Sequence, residues 1–261
     1  MATHRTRRLC ALRRRMGAAA LAAAVIASAA VTTAPGAGGA PAVAGRVVFL
    51  DPGHAGVNGP ENAKQVPNGR GGTKECQTSG TATARGYTEA AFNFDTVLRI
   101  RLALTALGVR SAMSRGDNAS SGPCVDERAR TANSLQPDLI VSIHADGGPP
   151  AASGFHVNYS NPPLNDSQRR SATAAQIVRD VLLAEGMSAA TYIGSGGLYA
   201  RADLAGLNLA QYPAVLIEVG NMRNPGEAAT METEKGRQFY ADAVTAAIVA
   251  YLEKTGDTPR A

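Results

Sequence analysis

Five short runs along the chain are mostly apolar and rich in β-branched residues: Val47-Val48-Phe49-Leu50, Val109 to Met113, Leu139-Ile140-Val141-Ser142-Ile143, Phe155 to Tyr159, and Ala214-Val215-Leu216-Ile217. Hydrophobicity that is near-continuous rather than alternating predicts strands covered on both faces. Between these runs the period changes to three and four residues. Phe94, Val97, Ile100, Leu104 and Leu107 fall on one helical face ahead of the stop signal Gly108. Residues 126–135 form a shorter candidate helix. Ser167 to Glu185 carries Ala174, Val178, Val181 and Leu182 on one face, and Gly236 to Leu252 carries Tyr240, Val244, Ala247, Ile248 and Tyr251. Strands alternating with helices predict an α/β fold, a single three-layer domain with a mostly parallel sheet, over residues 46–254. Residues 255–261 are left as a C-terminal tail. Residues 55–86 break the pattern: seven glycines, many Asn, Thr and Ser, and little periodicity. So long an irregular segment in a compact domain is usually functional.

Charge changes the picture only at the amino terminus. The net charge is +5, from 26 Lys+Arg against 21 Asp+Glu. Six of the arginines (Arg5, Arg7, Arg8, Arg13, Arg14, Arg15) precede residue 16, and the first acidic residue is Asp51. Without them the count is 20 against 21, a net of −1, so the body carries no basic field for nucleic acid. The basic stretch, an apolar run from Met16 to Val31 and the small-residue site Ala27-Ser28-Ala29 have the layout of a secretory signal peptide over 1–31. The run is short of the roughly 20 residues that span a bilayer, so no retained anchor is expected. The arginine pairs are compatible with either general or twin-arginine export. Residues 32–45, rich in Ala, Gly and Pro, read as a flexible linker. Of three cysteines, Cys10 falls in the leader. Cys76 and Cys124 remain as an even pair in an oxidising compartment and are expected to bond.

Open α/β sheets place their sites at the carboxyl ends of strands. There the first strand runs into Asp51-Pro52-Gly53-His54, the third into His144-Ala145-Asp146, and the fifth into Glu218-Val219-Gly220-Asn221. Glu89 opens the helix that follows the long loop. Two histidines and a carboxylate are the ligand set of many catalytic zinc sites, and a further carboxylate can serve as general base. His54, Glu89 and His144 are the candidate ligands and Glu218 the candidate base. Spacing alone leaves other readings open. Each histidine also reads as a surface or hydrogen-bonded residue, and Glu218 as half of a buried ion pair with an arginine such as Arg128. His156, inside the fourth strand, reads as a packed or hydrogen-bonded side chain. No Gly-x-Ser-x-Gly elbow and no phosphate-binding glycine loop after a strand occurs, which leaves serine-hydrolase and nucleotide-binding readings without support.

Val48-Phe49-Leu50-Asp51-Pro52-Gly53-His54-Ala55-Gly56 resembles the opening motif of the zinc-dependent N-acetylmuramoyl-L-alanine amidases of the amidase 3 type. Gly86-Tyr87-Thr88-Glu89 is similar to that family's second ligand motif. Glu127-Arg128, Ala132-Asn133 and Asp138 to Asp146 resemble its third block, and Pro213 to Pro225 its last. The blocks stand in family order and span nearly all of residues 46–252. The resemblance implies a twisted sheet of about six strands with helices on both faces. It implies one zinc ion on His54, Glu89 and His144, with Glu218 as the catalytic glutamate. The expected reaction cuts the amide between N-acetylmuramic acid and L-alanine of the stem peptide, for wall remodelling or turnover. Muropeptides are the expected partners and a monomer the expected state, in the periplasm, cell wall or extracellular space. An exported zinc peptidase acting on stem peptides, or a non-catalytic wall-binding protein on the same fold, are the competing readings. The chain departs from the family in its longer 55–86 stretch and in Gly220-Asn221-Met222, where Gly-Phe is frequent. No appended wall-binding domain is expected, and the short span from Asp146 to Ala175 leaves little room for an autoinhibitory helix. Activity is therefore expected to be limited by substrate access rather than by a regulatory partner.

Overall fold

A computed structural model of the chain describes residues 42–256. The expected leader, most of the expected linker and the last residues of the tail lie outside them. In chain order the elements are β1 (Val47–Pro52), a 3-10 turn (Pro60–Ala63), β2 (Gln65–Pro67), β3 (Thr73–Glu75), α1 (Glu89–Ala106), β4 (Arg110–Met113), α2 (Val125–Ser134) and β5 (Leu139–Asp146). There follow β6 (His156–Ser160), α3 (Asp166–Ala184), β7 (Leu198–Arg201), α4 (Ala205–Asn208), β8 (Ala214–Asn221), α5 (Pro225–Met231) and α6 (Glu234–Lys254). Six strands form one sheet in the order β4-β1-β5-β8-β6-β7. β4, β1, β5 and β8 run parallel, and β6 joins β8 antiparallel and carries β7 parallel to itself. The expected α/β architecture with a mostly parallel six-stranded sheet is what forms.

The two sheet faces are covered unequally. Side chains alternate along a strand, so Val48, Leu50, Val141, Ile143, Val215 and Ile217 all point to one face. There they pack with Ile100 and Leu104 of α1, Val178 and Leu182 of α3, and Val244 and Ile248 of α6 in a single large core. The opposite face holds a small cluster only: Phe49, Ile140 and Ala214 from the strands, Ala132 of α2 and Leu207 of α4. α2 and α4 are short, and they cap the amino-terminal half of this face. The carboxyl half carries Asp51, Ser142, His144 and Glu218, the next residues in the same alternation.

Two features differ from the expected organisation. The fold starts before Arg46: Val43 is buried in the large core, and Gly45 donates its N–H to the Gly108 carbonyl at 2.8 Å. The 55–86 stretch contains the antiparallel hairpin β2–β3, in register from Gln65↔Glu75 to Pro67↔Thr73. Helix α1 begins at Glu89, as expected, where Thr88 caps it by accepting from the Ala91 N–H at 3.3 Å. β7, α4 and α5 carry too few apolar residues for a periodic signal. Residues 147–155 join β5 to β6 without a helix, as the short span requires. Asn221 is buried and donates to the Pro149 and Ala152 carbonyls at 2.8 Å each, pinning that connection. Among the described residues no helix is long and apolar enough to cross a membrane.

Two interactions fasten the long loop and the second layer to the sheet. Cys76 and Cys124 are bonded, 48 residues apart, and pack with Val66 in a small apolar cluster between the hairpin and α2. Arg128 of α2 donates to Asp51 Oδ1 at 2.8 Å, in a buried ion pair that also takes hydroxyl donors from Ser114 at 2.5 Å and Ser142 at 2.7 Å. Burial opposes the Asp51 charge, but Arg128 and the two hydroxyls outweigh it and hold the carboxyl near 2, against an ordinary 3.8. Closure of a loop this long predicts that Cys124→Ser, or reduction of the native protein, lowers stability by about 3–4 kcal/mol in urea unfolding. A lowered folded-state pKa adds stability that is complete above pH 3.8 and is lost as the pH falls towards 2. Asp51→Asn is therefore expected to remove about 2 kcal/mol at pH 6. The difference from wild type should shrink as the pH falls below 3.8, and a difference that does not change over that range would refute the assignment.

Candidate active site

The candidate ligands come from three places in the chain and meet at one carboxylate. β1 ends at Pro52, and the chain turns through Gly53 to His54. His54 has φ +61°, a left-handed conformation uncommon for a residue with a side chain and typical of functional positions. Its Nδ1 lies 2.8 Å from the Thr78 carbonyl, so it donates there and leaves the Nε2 lone pair facing inward. That nitrogen is 3.0 Å from Glu89 Oε1. His144 comes from the end of β5 on the thinly covered face, and its Nδ1 is also 3.0 Å from Glu89 Oε1. Glu89 is buried at the first position of α1. Its remaining acceptor capacity is met by the N–H groups of Thr81 at 3.0 Å and Ala145 at 3.2 Å.

Three ligand atoms, one each from His54, Glu89 and His144, lie within 4.8 Å of one another. Two ring lone pairs aimed at a carboxylate oxygen at 3.0 Å repel it unless a proton or a metal ion lies between. The donor set is that of a two-histidine, one-carboxylate zinc site, with a hydrogen bond behind His54 that fixes its tautomer. The electrostatics run the same way. Burial opposes the Glu89 charge, but hydrogen bonds and charge from His144 and His54 hold the carboxyl well below its usual range. Burial and the nearby His54 lower His144, whereas Glu89 overcomes burial at His54 and raises it. Two glycines make room. A side chain at Gly53 would come within 2.3 Å of the His144 ring, and one at Gly80 within 2.8 Å of Glu89 Oε2 and of the His54 ring.

Glu218 lies on β8 directly beside His144, in register across the β5–β8 pair. Its flanking residues Ile217 and Val219 are buried. It makes no ion pair with Arg128, whose carboxylate partner is Asp51, and its Oε2 is buried without a hydrogen-bond partner among the described residues. Burial, then the charges of Glu89 and Asp146, push the Glu218 carboxyl well above its ordinary value. On the other side of Glu218, in register on β6, is His156. It is packed as expected, with edge contacts to Tyr192 and Tyr199, but its Nδ1 has no hydrogen-bond partner among the described residues, and burial lowers it to about 4. Tyr192 donates its hydroxyl to Asp146 Oδ2 at 2.8 Å and completes this polar flank. The opposite flank is apolar. A hollow of about 130 Å³ runs from His54 and His144 towards Phe49, Ile140, Leu204, Leu207 and Leu216, and it does not reach Glu218.

All four candidate residues of the sequence thus converge. Position at a strand end gave no role to Asp51, Arg115 or Tyr192, which lie beside the site: Asp51 pairs with Arg128, Arg115 donates to the Gly53 carbonyl next to His54, and Tyr192 donates to Asp146. Arg115 follows β4 as the other candidates follow their strands, so the same rule applied to the edge strand would have found it. Tyr192 belongs to a loop that no pattern marks.

Comparison with known proteins bears on the whole arrangement. The sequence profile of the family described as N-acetylmuramoyl-L-alanine amidase, amidase 3, matches residues 48–250. An N-acetylmuramoyl-L-alanine amidase of Mycobacterium tuberculosis is 57% identical over 215 residues, covering 82% of this chain and 89% of that protein. The crystal structure of the amidase Ami1 from Mycobacterium smegmatis superposes with a TM-score of 0.81 at 60% identity, over 81% of this chain and 99% of that one. Ami1 from Mycobacterium abscessus gives 0.80 at 59% identity, over 80% and 100%. A Clostridium difficile amidase at 22% identity and a TM-score of 0.62 shares the fold. The chain belongs to the amidase 3 family of N-acetylmuramoyl-L-alanine amidases, hydrolases that act on peptidoglycan.

Proposed function

We propose that the chain is an exported, zinc-dependent enzyme that hydrolyses the amide between the lactyl group of N-acetylmuramic acid and L-alanine of the stem peptide. The observation that carries this reading is the meeting of His54, Glu89 and His144 on one point, with Glu218 in register beside His144. His54, Glu89 and His144 would hold a single zinc ion, which supplies Lewis acidity towards the scissile carbonyl and the attacking water. Glu218 then takes the proton of that water on its carboxylate and returns a proton to the departing alanine nitrogen. Its raised proton affinity suits the first of these transfers, and its buried neighbours fix its direction. The neutral His156 and the protonated Tyr192 carry no positive charge, and the Arg201 guanidinium beyond them offsets only part of the rise at Glu218. The basic and apolar leader supports export, the near-neutral body supports recognition by the cleft rather than by long-range charge, and a monomer acting on muropeptides is the working state.

Glu218→Gln keeps the size of the side chain and removes the base. It is expected to lower kcat on a muropeptide about 10²–10⁴-fold with zinc content unchanged, and full activity in that variant would refute the role of Glu218. Dialysis against a strong chelator is expected to abolish turnover, and stoichiometric zinc to restore it. The product decides between an amidase and a stem-peptide peptidase: a newly exposed L-alanine amino group together with intact muramic acid supports the amidase, and cleavage within the peptide supports the other.

A further inference from the structure

Arg115 follows β4 in the chain, is 4% exposed, and has no catalytic role in the reading above. Its guanidinium makes five hydrogen bonds, and every acceptor is uncharged. Nε donates to the Pro52 carbonyl at 3.0 Å, and Nη1 to the Asp117 carbonyl at 2.9 Å and Asn118 Oδ1 at 2.8 Å. Nη2 donates to the Gly53 carbonyl at 3.3 Å and the Ala90 carbonyl at 2.9 Å. Burial, and the neighbouring Arg128, lower it to about 10, so it stays charged at neutral pH. A buried cation with no carboxylate bonded to it is costly unless its geometry is used.

The acceptors show the use. Gly53 immediately precedes His54, and Ala90 immediately follows Glu89. One nitrogen therefore bridges the backbone beside one candidate ligand to the backbone beside another, across two segments 37 residues apart in the chain. The ring of Phe94, one turn further along α1, lies 4.9 Å from the guanidinium carbon and grips the same group from the helix side. Nη1 anchors the outer end to its own turn. From the other direction Arg128 donates to the Pro52 carbonyl at 3.0 Å and the His54 carbonyl at 2.7 Å. The carbonyls of Pro52, Gly53 and His54 are thus all held by guanidinium groups, around a residue in a left-handed conformation that persists only when its surroundings over-determine it.

We propose that Arg115 is a positioning residue that sets the separation of His54 and Glu89, and through it the geometry of the metal site. The inference rests on the zinc reading above. The planar fork is the essential property, because an ammonium group cannot reach three carbonyls in fixed directions.

The test is zinc affinity in the metal-free, folded full chain, measured by competition with a chromophoric chelator. Arg115→Lys keeps the charge and loses the fork. It is expected to weaken zinc binding about 10–100-fold, the range for groups that orient ligands from behind. At saturating zinc, kcat should fall while KM holds, and the visible spectrum of the cobalt-substituted protein should shift. Leu182→Ala, which empties the core under α3 far from the site, should lower the melting temperature and leave zinc affinity at the wild-type value. Should Arg115→Lys fail to give a cooperative melt, Asn118→Ala releases only the outer anchor and is expected to weaken zinc in the same direction by a smaller factor. A folded Arg115 or Asn118 variant with wild-type affinity, or an equal loss of affinity in Leu182→Ala, overturns the proposal. Wild type measured alongside separates the two readings. If wild type takes up no zinc, the metal reading falls and this inference with it; if wild type binds and Arg115→Lys binds equally, this inference alone falls.

Discussion

A carboxylate buried at the first turn of a helix is the constraint around which this molecule is arranged. Glu89 cannot remain charged in the interior unless its oxygens are met. What meets them comes from three distant stretches of chain: His54 from the turn after β1, His144 and the Ala145 N–H from β5, and the Thr81 N–H from the long loop. Satisfying one group therefore fixes the relative placement of the first strand, the central strand, the first helix and the loop between them. The same convergence that satisfies the charge creates a cluster of atoms that could hold a metal ion. Any relaxation that eased the crowding would also disperse these candidate ligands.

The inequality of the two sheet faces decides where this cluster opens to substrate. Long helices α1, α3 and α6 seal one face over its full length, while short α2 and α4 cover only part of the other. Strand alternation sends apolar residues to the sealed face and, at the carboxyl ends of β1, β5 and β8, polar residues to the open one. Asp51 lies deepest on the open side and is neutralised by Arg128; His144 and Glu218 lie beyond it, where cover stops. The disulfide and the Asp51–Arg128 pair then hold the loop and α2 against this face, so the rim of the site is built from segments with little core of their own. Asn221 does a similar service on the far rim, by holding the short 147–155 connection with two carbonyl bonds.

Five of the six strands of the main sheet, the four longer helices and the four candidate residues were legible because each depends on local chemistry. A buried strand must be apolar, a helix must repeat at three and four, and a polar residue directly after a buried strand has few reasons to be there. The 55–86 segment was legible only as an exception. Its hairpin has three residues on each side and one buried side chain, Val66, so no periodic signal can exist. The partner of Arg128 was not legible at all. Asp51 and Glu218 both follow apolar runs at strand ends, and choosing between them requires knowing that α2 packs beside β1 and not β8. Arg115 hid in the same way: its value lies in which carbonyls it reaches, and carbonyls have no sequence.

Side-chain type and spacing along the chain were thus enough for the fold class, the even cysteine pair and the identity of the residues that can carry the chemistry. Which nitrogen of His54 faces Glu89, which arginine neutralises Asp51, and the bridging of two segments beside the candidate ligands by one guanidinium nitrogen emerge only on folding. These are relations between backbone groups and side chains distant in sequence. They are set by register across the sheet and by the directions of hydrogen bonds, neither of which any local stretch of residues encodes.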